Sequence, residues 1–102
     1  AHFHDTRGLG AANAYAAWSV GMRVFDGCVG GIGGCPHAPG ASGNVSTEDL
    51  AYLFASMGVP TGLDFDALIE LRGRIGQWLA GEPLHGAIWR AGLPKTLQQV
   101  AA

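Results

Sequence analysis

Apolar side chains recur along the chain with a spacing that predicts three helices. Residues 9–20 are rich in Ala and lack Pro, which favours a helix. In residues 46–57 the apolar positions follow a helical repeat. A third, longer helix is predicted for residues 64–80, starting from Asp64 and ending before Gly81. The apolar stripes of the last two helices are predicted to be buried. The stripe of the second helix consists of Leu50, Leu53, Phe54 and Met57, and that of the third helix consists of Leu68, Leu71, Ile75, Trp78 and Leu79.

The boundaries of these helices are supported by residues that favour caps and stops. Ser46 with Asp49 fits a capping box, and the acidic residues of the following turn suit a helix start. Gly21 and Gly58 suit the ends of the first and second helices. Residues 82–102 carry weak signals and are expected to form a weakly structured tail.

Short apolar stretches outside the helices predict strands. Val24, Phe25, Cys28 and Val29 form a run that ends in Gly, as a buried parallel strand would. With residues 1–5 as the end of another strand, strands alternate with helices, which is the pattern of a parallel α/β sheet. Two parallel strands alone leave both sheet edges open. The chain is therefore expected to be a fragment of a larger α/β domain.

The composition is typical of one small domain with an apolar core. The chain has 102 residues, of which 48% are hydrophobic, and its formal net charge is −2. This charge predicts no broad basic face for nucleic acid. No apolar run approaches the roughly 18 residues that span a bilayer, so no membrane partner is expected. The two cysteines, Cys28 and Cys35, are too few for a disulfide framework and indicate free thiols in a reducing compartment, with a bond between them as the less favoured alternative.

The first residues carry a pattern that suits metal binding. His2 and His4 are two positions apart, so on a strand both imidazoles point to the same face. Two imidazoles on one face can bind one divalent cation. At the carboxyl end of a barrel strand they would point into the mouth, where active sites lie. The alternative is a pair of partly exposed histidines without a ligand.

A loop is predicted for residues 30–44, GGIGGCPHAPGASGN, which are too rich in Gly and Pro for a helix interior. The loop follows the carboxyl end of the second strand, and functional groups are concentrated on such loops. Cys35 follows Gly33 and Gly34 and precedes Pro36. This context can present a thiol to a substrate.

Asn44 and Cys28 have more ordinary interpretations. Asn44 ends the loop, where its side chain can either cap the following helix or bind a cation. Cys28 lies within the apolar strand and is interpreted as a small buried hydrophobe. A dinucleotide-binding fingerprint is excluded, because Pro36 takes the place of the last Gly after Gly31 and Gly33.

Three stretches taken together resemble the carboxyl-terminal part of the 3-hydroxy-3-methylglutaryl-CoA lyase family. They are HFHDTRG, FDGCVGGIGGCPHAPGASGNVSTEDLAYL and MGVPTGLDFDALIEL, and they match in order between residues 1 and 80. Related metal-dependent Claisen-type synthases share the paired histidines but lack the loop cysteine. The resemblance implies an α/β fold, a (β/α)8 TIM barrel, of which the chain would supply the last two β/α units and an added carboxyl-terminal helix. The implied elements are the end of the seventh strand at 1–5, the seventh helix at 9–20, the eighth strand at 23–29, the eighth helix at 46–57 and the added helix at 64–80.

The resemblance also implies a divalent metal, Mg or Mn, and a set of site residues. The family's metal-binding histidines match His2 and His4, and its metal-binding asparagine matches Asn44. Its catalytic loop cysteine matches Cys35, and His2 matches the candidate base. The aspartate that completes the family's metal site, and the arginine beside it, would lie before residue 1. The implied supporting pair is Glu48 and Asp49, the implied active-site loop contains Gly33, Gly34 and Pro36, and His37 is assigned to loop packing.

The reaction that the family implies is cleavage of a 3-hydroxy-3-methylglutaryl thioester to acetoacetate and acetyl-CoA. The substrate is then an acyl-CoA, the full-length protein is expected to be a homodimer, and its expected location is the bacterial cytoplasm or, in a eukaryote, the mitochondrial matrix. The 102 residues alone are expected to be inactive. Two alternatives are a related lyase for a bulkier 3-hydroxyglutaryl-CoA and a metal-binding module without catalysis. Cys35 argues against the second alternative, which has no need of a thiol.

Overall fold

The computed structural model describes residues 1–33 and 43–94, and helices dominate these ranges. The helices are α1 (Gly10–Ser19), α2 (Thr47–Ser56), α3 (Phe65–Trp78) and the short α4 (Ala87–Ala91), and a 3-10 turn lies at Val29–Gly31. The predicted positions of the first three helices are confirmed to within one or two residues at each end. Glycines in the left-handed conformation follow α1 and α2, with φ of 106° at Gly21 and 76° at Gly58, as the sequence predicts.

Side-chain caps begin α2 and α3. The Ser46 hydroxyl accepts a hydrogen bond from Asp49 N at 3.0 Å, and the Asp64 carboxylate accepts one from Ala67 N at 3.2 Å. Each bond satisfies a backbone N–H that has no partner within its helix. The predicted capping box is only half formed, because the Asp49 carboxylate binds the first backbone amides of α4 instead.

Three extended segments meet through isolated β-bridges. The expected parallel direction of the first two segments is confirmed at His2 and Asp26. Beyond that bridge a third segment lies between them: Val45 N donates to Phe3 O at 3.1 Å, and Val45 O accepts from Cys28 N at 3.1 Å. The bridges join His2 to Asp26 and Cys28 to Ser46 in the parallel direction, and His4 to Asn44 in the antiparallel direction.

The strand predicted for residues 23–29 is therefore only partly formed. Within the described residues this stretch is extended backbone held by single bridges. The physical reason is that Val45 takes the hydrogen bonds that a continuous ladder between the first two segments would use. Val24, predicted to be buried in that strand, is 75% exposed.

The core is built around α2, which buries side chains on two faces. Phe54 is 5% exposed, and its ring centroid lies 5.4 Å from that of Trp18 and 5.0 Å from that of Phe25. These aromatic contacts tie α1 and the second extended segment to α2. The buried residues of the two clusters are Ala14, Val45, Leu50 and Phe54 on one face, and Ala51, Phe65 and Leu68 on the other.

The apolar stripe predicted for α2 is confirmed, whereas the stripe predicted for α3 is largely wrong. Every predicted position of the α2 stripe packs in the first cluster. In α3, Leu68 is buried, but Arg72 at 3% exposure takes the next position of the buried side. The physical reason is the buried carboxylate of Glu48 in α2, which pairs with the guanidinium. The exposed positions of the predicted α3 stripe are Leu71, Trp78 and Leu79.

The short helix α4 lies in the tail that the sequence predicts to be weakly structured. The backbone amides of Ala87 and Ile88 donate to the two carboxylate oxygens of Asp49, both at 3.1 Å. Ile88 is buried at 8% exposure. A helix of five residues is too short to form by propensity alone, so its stability comes from these tertiary contacts. Across residues 1–33 and 43–94, no helix combines the length and the apolar character needed to cross a membrane.

Candidate functional site

Two imidazoles lie side by side near the start of the chain. The ring centroids of His2 and His4 are 5.2 Å apart, the ring planes are inclined by 74°, and both residues are exposed. The extended backbone produces this arrangement, because alternate residues of an extended chain point to the same side. The structure thus places both rings on one face, at a separation that allows them to share one ion.

Asn44 joins this face from a distant part of the sequence. Its backbone pairs with that of His4 in the antiparallel bridge, and directly opposite residues of such a pair point to the same face. Its Nδ2 atom donates to Ile32 O at 2.8 Å, which leaves Oδ1 as the oxygen that can serve as a ligand. Asn44 does not cap α2, because Ser46 does so. We call the surface formed by His2, His4 and Asn44 the candidate metal face.

Two glycines fit closely against Asn44. A Cβ atom on Gly33 would lie 2.6 Å from Asn44 Nδ2, and one on Gly31 would lie 2.9 Å from Asn44 O. Both glycines have positive φ, 102° at Gly33 and 65° at Gly31, a conformation that L side chains avoid. Gly33 therefore has a physical role within the described residues: its missing side chain leaves room for the Asn44 amide.

Asp26 belongs to this region, although the sequence motifs do not single it out. Its Oδ1 atom contacts His2 Nδ1, and the two residues are neighbours in the parallel bridge. A carboxylate on one ring nitrogen fixes the tautomer and the orientation of an imidazole, and it leaves the other nitrogen, here Nε2, to bind a ligand. A signal is present in the sequence, since Asp26 directly follows Val24 and Phe25 and precedes Gly27, as a side chain at the end of a buried strand would.

The candidate metal face fits a divalent cation in part. Imidazole nitrogens suit Mn and related transition metals, whereas Mg prefers oxygen ligands. In the part of the chain that the structure describes, no group of three or more His, Cys, Asp or Glu side chains could hold a metal ion. The face offers two imidazoles and one amide oxygen, and no carboxylate ligand among them. A hard cation would need at least one further oxygen ligand, and a carboxylate would suit it best.

The two acidic residues expected to support the site, Glu48 and Asp49, contact different elements. Asp49 binds the start of α4. Glu48 is fully buried, accepts hydrogen bonds from Gly30 N at 3.1 and 3.0 Å, and forms an ion pair with Arg72 Nη1 at 2.9 Å. Both carboxylates therefore hold neighbouring elements in place.

Arg72 is a second residue that the apolar pattern does not reveal. A charged residue in an amphipathic helix is normally assigned to the solvent face. A signal exists in its spacing: Arg72 is four residues after Leu68 and three before Ile75, so it falls on the apolar side of α3. Tertiary contacts explain why a guanidinium is buried there: an ion pair with Glu48 and a hydrogen bond to His85 O.

The predicted catalytic thiol, Cys35, lies outside the described residues, as do Gly34, Pro36 and His37. Its catalytic role stays a prediction. The second cysteine is described: Cys28 has a free thiol and is half-buried. Its backbone O accepts from Thr47 N at 3.0 Å, at the junction of the extended segments. This contact involves the backbone and not the thiol, and the side chain is less buried than the sequence predicts.

Several acyl-CoA lyases are similar to this chain. A curated (R)-citramalyl-CoA lyase of Chloroflexus aurantiacus is 52% identical over 94 residues, which cover 89% of this chain and 28% of that protein. A hydroxymethylglutaryl-CoA lyase of Pseudomonas mevalonii is 54% identical over 74 residues, which cover 72% of this chain and 25% of that protein. The solved structure of an HMG-CoA lyase from Acinetobacter baumannii, in complex with coenzyme A and 3-methylmalate, matches with a TM-score of 0.80 and 49% identity, covering 92% of this chain and 30% of that one.

The chain spans less than a third of the length of each of these proteins. Its likeness to solved HMG-CoA lyases implies the fold of a TIM-barrel enzyme, of which the described residues form a helix-rich part. The family model described as HMGL-like matches residues 1–75. Because this match includes most of the 102 residues, the chain belongs to the HMGL-like family.

Proposed function

We propose that the chain is the carboxyl-terminal part of a metal-dependent lyase that cleaves 3-hydroxy-3-methylglutaryl-CoA to acetoacetate and acetyl-CoA. The observation that carries the proposal is the candidate metal face, on which His2, His4 and Asn44 meet from separate parts of the chain. Family membership and the likeness to acyl-CoA lyases support the same class of reaction.

In this proposal the chain supplies the last two β/α units of a (β/α)8 barrel. The extended segment at 1–5 and α1 are the end of the seventh strand and the seventh helix. Residues 23–29 and α2 are the eighth strand and helix, and α3 is an added helix. The exposure of Val24, at 75%, supports this assignment, because a closed barrel would bury an apolar strand residue. The rest of the barrel would also supply the carboxylate that the candidate metal face needs.

A divalent cation, Mn or Mg, would be held by His2, His4 and Asn44 together with that carboxylate. When bound, the cation polarises the hydroxyl and carboxylate oxygens of the substrate. Asp26 orients the His2 ring, and Ile32 O holds the nitrogen end of the Asn44 amide. These contacts orient the ligands before a cation binds, which favours affinity.

Side chains of this chain then move two protons. A ring nitrogen of His2 takes the proton of the substrate hydroxyl, and the electrons of that O–H bond form the ketone of acetoacetate. The carbon–carbon bond next to the former hydroxyl breaks, and its electron pair stays on the acetyl-CoA fragment as an enolate. The Cys35 thiol gives its proton to the enolate carbon and completes acetyl-CoA. The thiolate then recovers a proton from solvent while His2 releases one, so protons balance over the cycle.

The contact with Asp26 restricts the two roles assigned to His2. Nδ1 faces the carboxylate, so Nε2 is the nitrogen that remains for both cation binding and proton transfer. A ring nitrogen whose lone pair is given to a cation cannot take a proton with the same pair. Nε2 therefore serves one role at a time: it would take the substrate proton while His4 and Asn44, with the added carboxylate, hold the cation.

(R)-Citramalyl-CoA is a second candidate substrate. The relative named for it is similar over 94 residues, against 74 for the hydroxymethylglutaryl-CoA lyase. The two thioesters share a tertiary alcohol with a methyl group, and they differ by one methylene in the arm that carries the carboxylate. The same bond cleavage would release pyruvate instead of acetoacetate. One methylene is worth about 10–200-fold in rate between substrates, so the two are distinguishable by kinetics.

The test uses the full-length protein that carries this chain, loaded with Mn, and measures acetoacetate and pyruvate release from the two thioesters. Acetoacetate release with the higher kcat/KM supports the leading proposal, and faster pyruvate release moves the assignment to the second candidate. His4→Ala and Asn44→Ala should both weaken Mn binding in a titration by electron paramagnetic resonance. Asn13→Ala, which removes an exposed amide from α1, is the matched control. Tight Mn binding without cleavage of either thioester would contradict a lyase and favour a binding module.

A further inference from the structure

Gly30 lies in a closed ring of hydrogen bonds. Its N–H donates to the Glu48 carboxylate at 3.0 Å, and its C=O accepts from His85 N at 2.6 Å. Arg72 closes the ring, because its Nη1 donates both to Glu48 Oε2 at 2.9 Å and to His85 O at 2.5 Å. The two polar groups of the Gly30 backbone are thereby held by α2, by α3 and by the segment that leads into α4.

This ring is shielded from water. Glu48 is 0% exposed and Arg72 is 3% exposed. Leu84 covers Gly30 so closely that a Cβ atom there would lie 3.0 Å from Leu84 Cδ2. The guanidinium also lies 5.0 Å from the centre of the Trp89 ring. Charge-assisted hydrogen bonds are strong in such surroundings, so the backbone at Gly30 is held more firmly than an ordinary surface turn.

The fixed backbone at Gly30 leads within two residues to the group that holds Asn44. Gly31 packs against Asn44, since a Cβ atom on Gly31 would lie 2.9 Å from Asn44 O. Ile32 O accepts from Asn44 Nδ2 at 2.8 Å. A displacement of Gly30 would therefore move Ile32 O, and with it the side-chain amide that this carbonyl orients.

We infer that Arg72, acting with Glu48, is a positioning residue for cation binding: through Gly30 and Ile32 it sets the orientation of the Asn44 side chain. The inference rests on the proposed function, because it takes Asn44 to be a cation ligand. It gives α3, a helix added to the barrel in that proposal, a part in the geometry of the candidate metal face.

The test compares Arg72→Met with a matched control on the same helix in the full-length protein. The control is Arg74→Met: Arg74 pairs with Glu70 at 2.9 Å, but these side chains are 60% and 66% exposed and their loss leaves Gly30 untouched. The Kd for Mn is measured by electron paramagnetic resonance at a temperature where circular dichroism shows each variant folded. We expect Arg72→Met to raise the Kd for Mn about tenfold, which is the smallest effect typical of losing a residue that orients a metal ligand. Arg74→Met should leave the Kd unchanged.

The same substitution in an Asn44→Ala background separates positioning from a general loss of stability. Because Arg72 acts through Asn44, Arg72→Met should cause no further loss of Mn affinity in that background. An equal loss in both backgrounds, or no loss in the wild-type background, would overturn the inference. A wild-type protein that binds no Mn would instead overturn the proposed function, and the inference with it.

If Arg72→Met does not fold, a second variant, Arg72→Lys, tests the inference. Arg72→Lys keeps the positive charge, but its side chain is one bond shorter, which lengthens the hydrogen bonds that Nη1 makes to Glu48 and His85 O. We then expect the Kd for Mn to rise about threefold, which is less than the tenfold effect expected when the orienting contact is removed. Wild-type affinity in Arg72→Lys would overturn the inference.

Discussion

The side-chain amide of Asn44 donates a hydrogen bond to the backbone carbonyl of Ile32 at 2.8 Å. Both residues belong to the predicted loop of residues 30–44, with Ile32 near its start and Asn44 at its end, so the bond joins the two ends of the loop. It also determines that the oxygen of the amide, and not its nitrogen, is the atom presented for a ligand. One contact therefore links the geometry of the loop ends to the chemistry of the candidate metal face.

Gly33→Ala should disrupt this contact. The new Cβ atom would lie 2.6 Å from Asn44 Nδ2, so the amide must move away from Ile32 O. We expect Mn affinity to fall about tenfold, as for the loss of a group that orients a ligand. Gly21→Ala is the matched control, because Gly21 has nearly the same φ, 106° against 102°, and open space around it. Both variants should lose about 1–2 kcal/mol of stability from the left-handed backbone, measured by urea unfolding. Equal Mn affinity in the two variants would contradict the role of Gly33.

Asp26→Ala should separate the two roles of His2. Without the carboxylate on Nδ1, the ring is free to rotate, and we expect Mn affinity to fall about tenfold. Asp66→Ala, which removes an exposed carboxylate from the first turn of α3, is the control for the lost charge. The Kd for Mn and the kcat of thioester cleavage should be measured together. A fall in kcat with an unchanged Kd would show that Asp26 serves proton transfer instead of cation binding.

Cys35→Ala should remove most turnover while Mn binding persists. The proposed thiol donates a proton to the enolate, and loss of a general acid lowers kcat by about 10²–10⁴-fold. The control is Cys28→Ala, because Cys28 is half-buried at a backbone junction and is not assigned to proton transfer. Full turnover in Cys35→Ala would remove the thiol from the mechanism, whatever the metal affinity.

Cys28→Ala should affect stability more than chemistry. Its thiol is half-buried, and a partly buried side chain of this size contributes about 1 kcal/mol to stability. The free energy of unfolding measured in urea should fall by that amount. The backbone contacts of Cys28 with Val45 and Thr47 do not depend on the side chain and should persist. A large fall in kcat at unchanged stability would contradict the structural interpretation.

Local sequence signals predict the helices well because those signals act within each helix. Ser46 caps α2 through an amide three residues away, and the α2 stripe packs as its spacing predicts. The same reasoning fails for Arg72, whose burial depends on Glu48 in another helix. It fails for α4 as well, because the carboxylate that caps this helix belongs to Asp49 in α2.

In the candidate site, too, the features set by local sequence can be predicted and those set by tertiary contacts cannot. The spacing of His2 and His4 predicts a shared face, because an extended backbone alone produces it. The position of Asn44 opposite His4 cannot be predicted from spacing, because it depends on how Val45 inserts between the other two segments. The family resemblance identifies Asn44 as a candidate ligand, and the antiparallel bridge positions it opposite His4.

The insertion of Val45 between two distant segments has a consequence for the order of folding. Each helix closes through bonds between near neighbours, which form in about 0.1–1 μs in isolated peptides. The contacts of Val45 with Phe3 and Cys28, in contrast, close long stretches of chain, and the entropy of that closure must be offset before the contacts form. We therefore expect a refolding protein to regain its far-ultraviolet circular dichroism before its affinity for Mn. Affinity for Mn would therefore report the closure of these long-range contacts, whereas the far-ultraviolet signal would not.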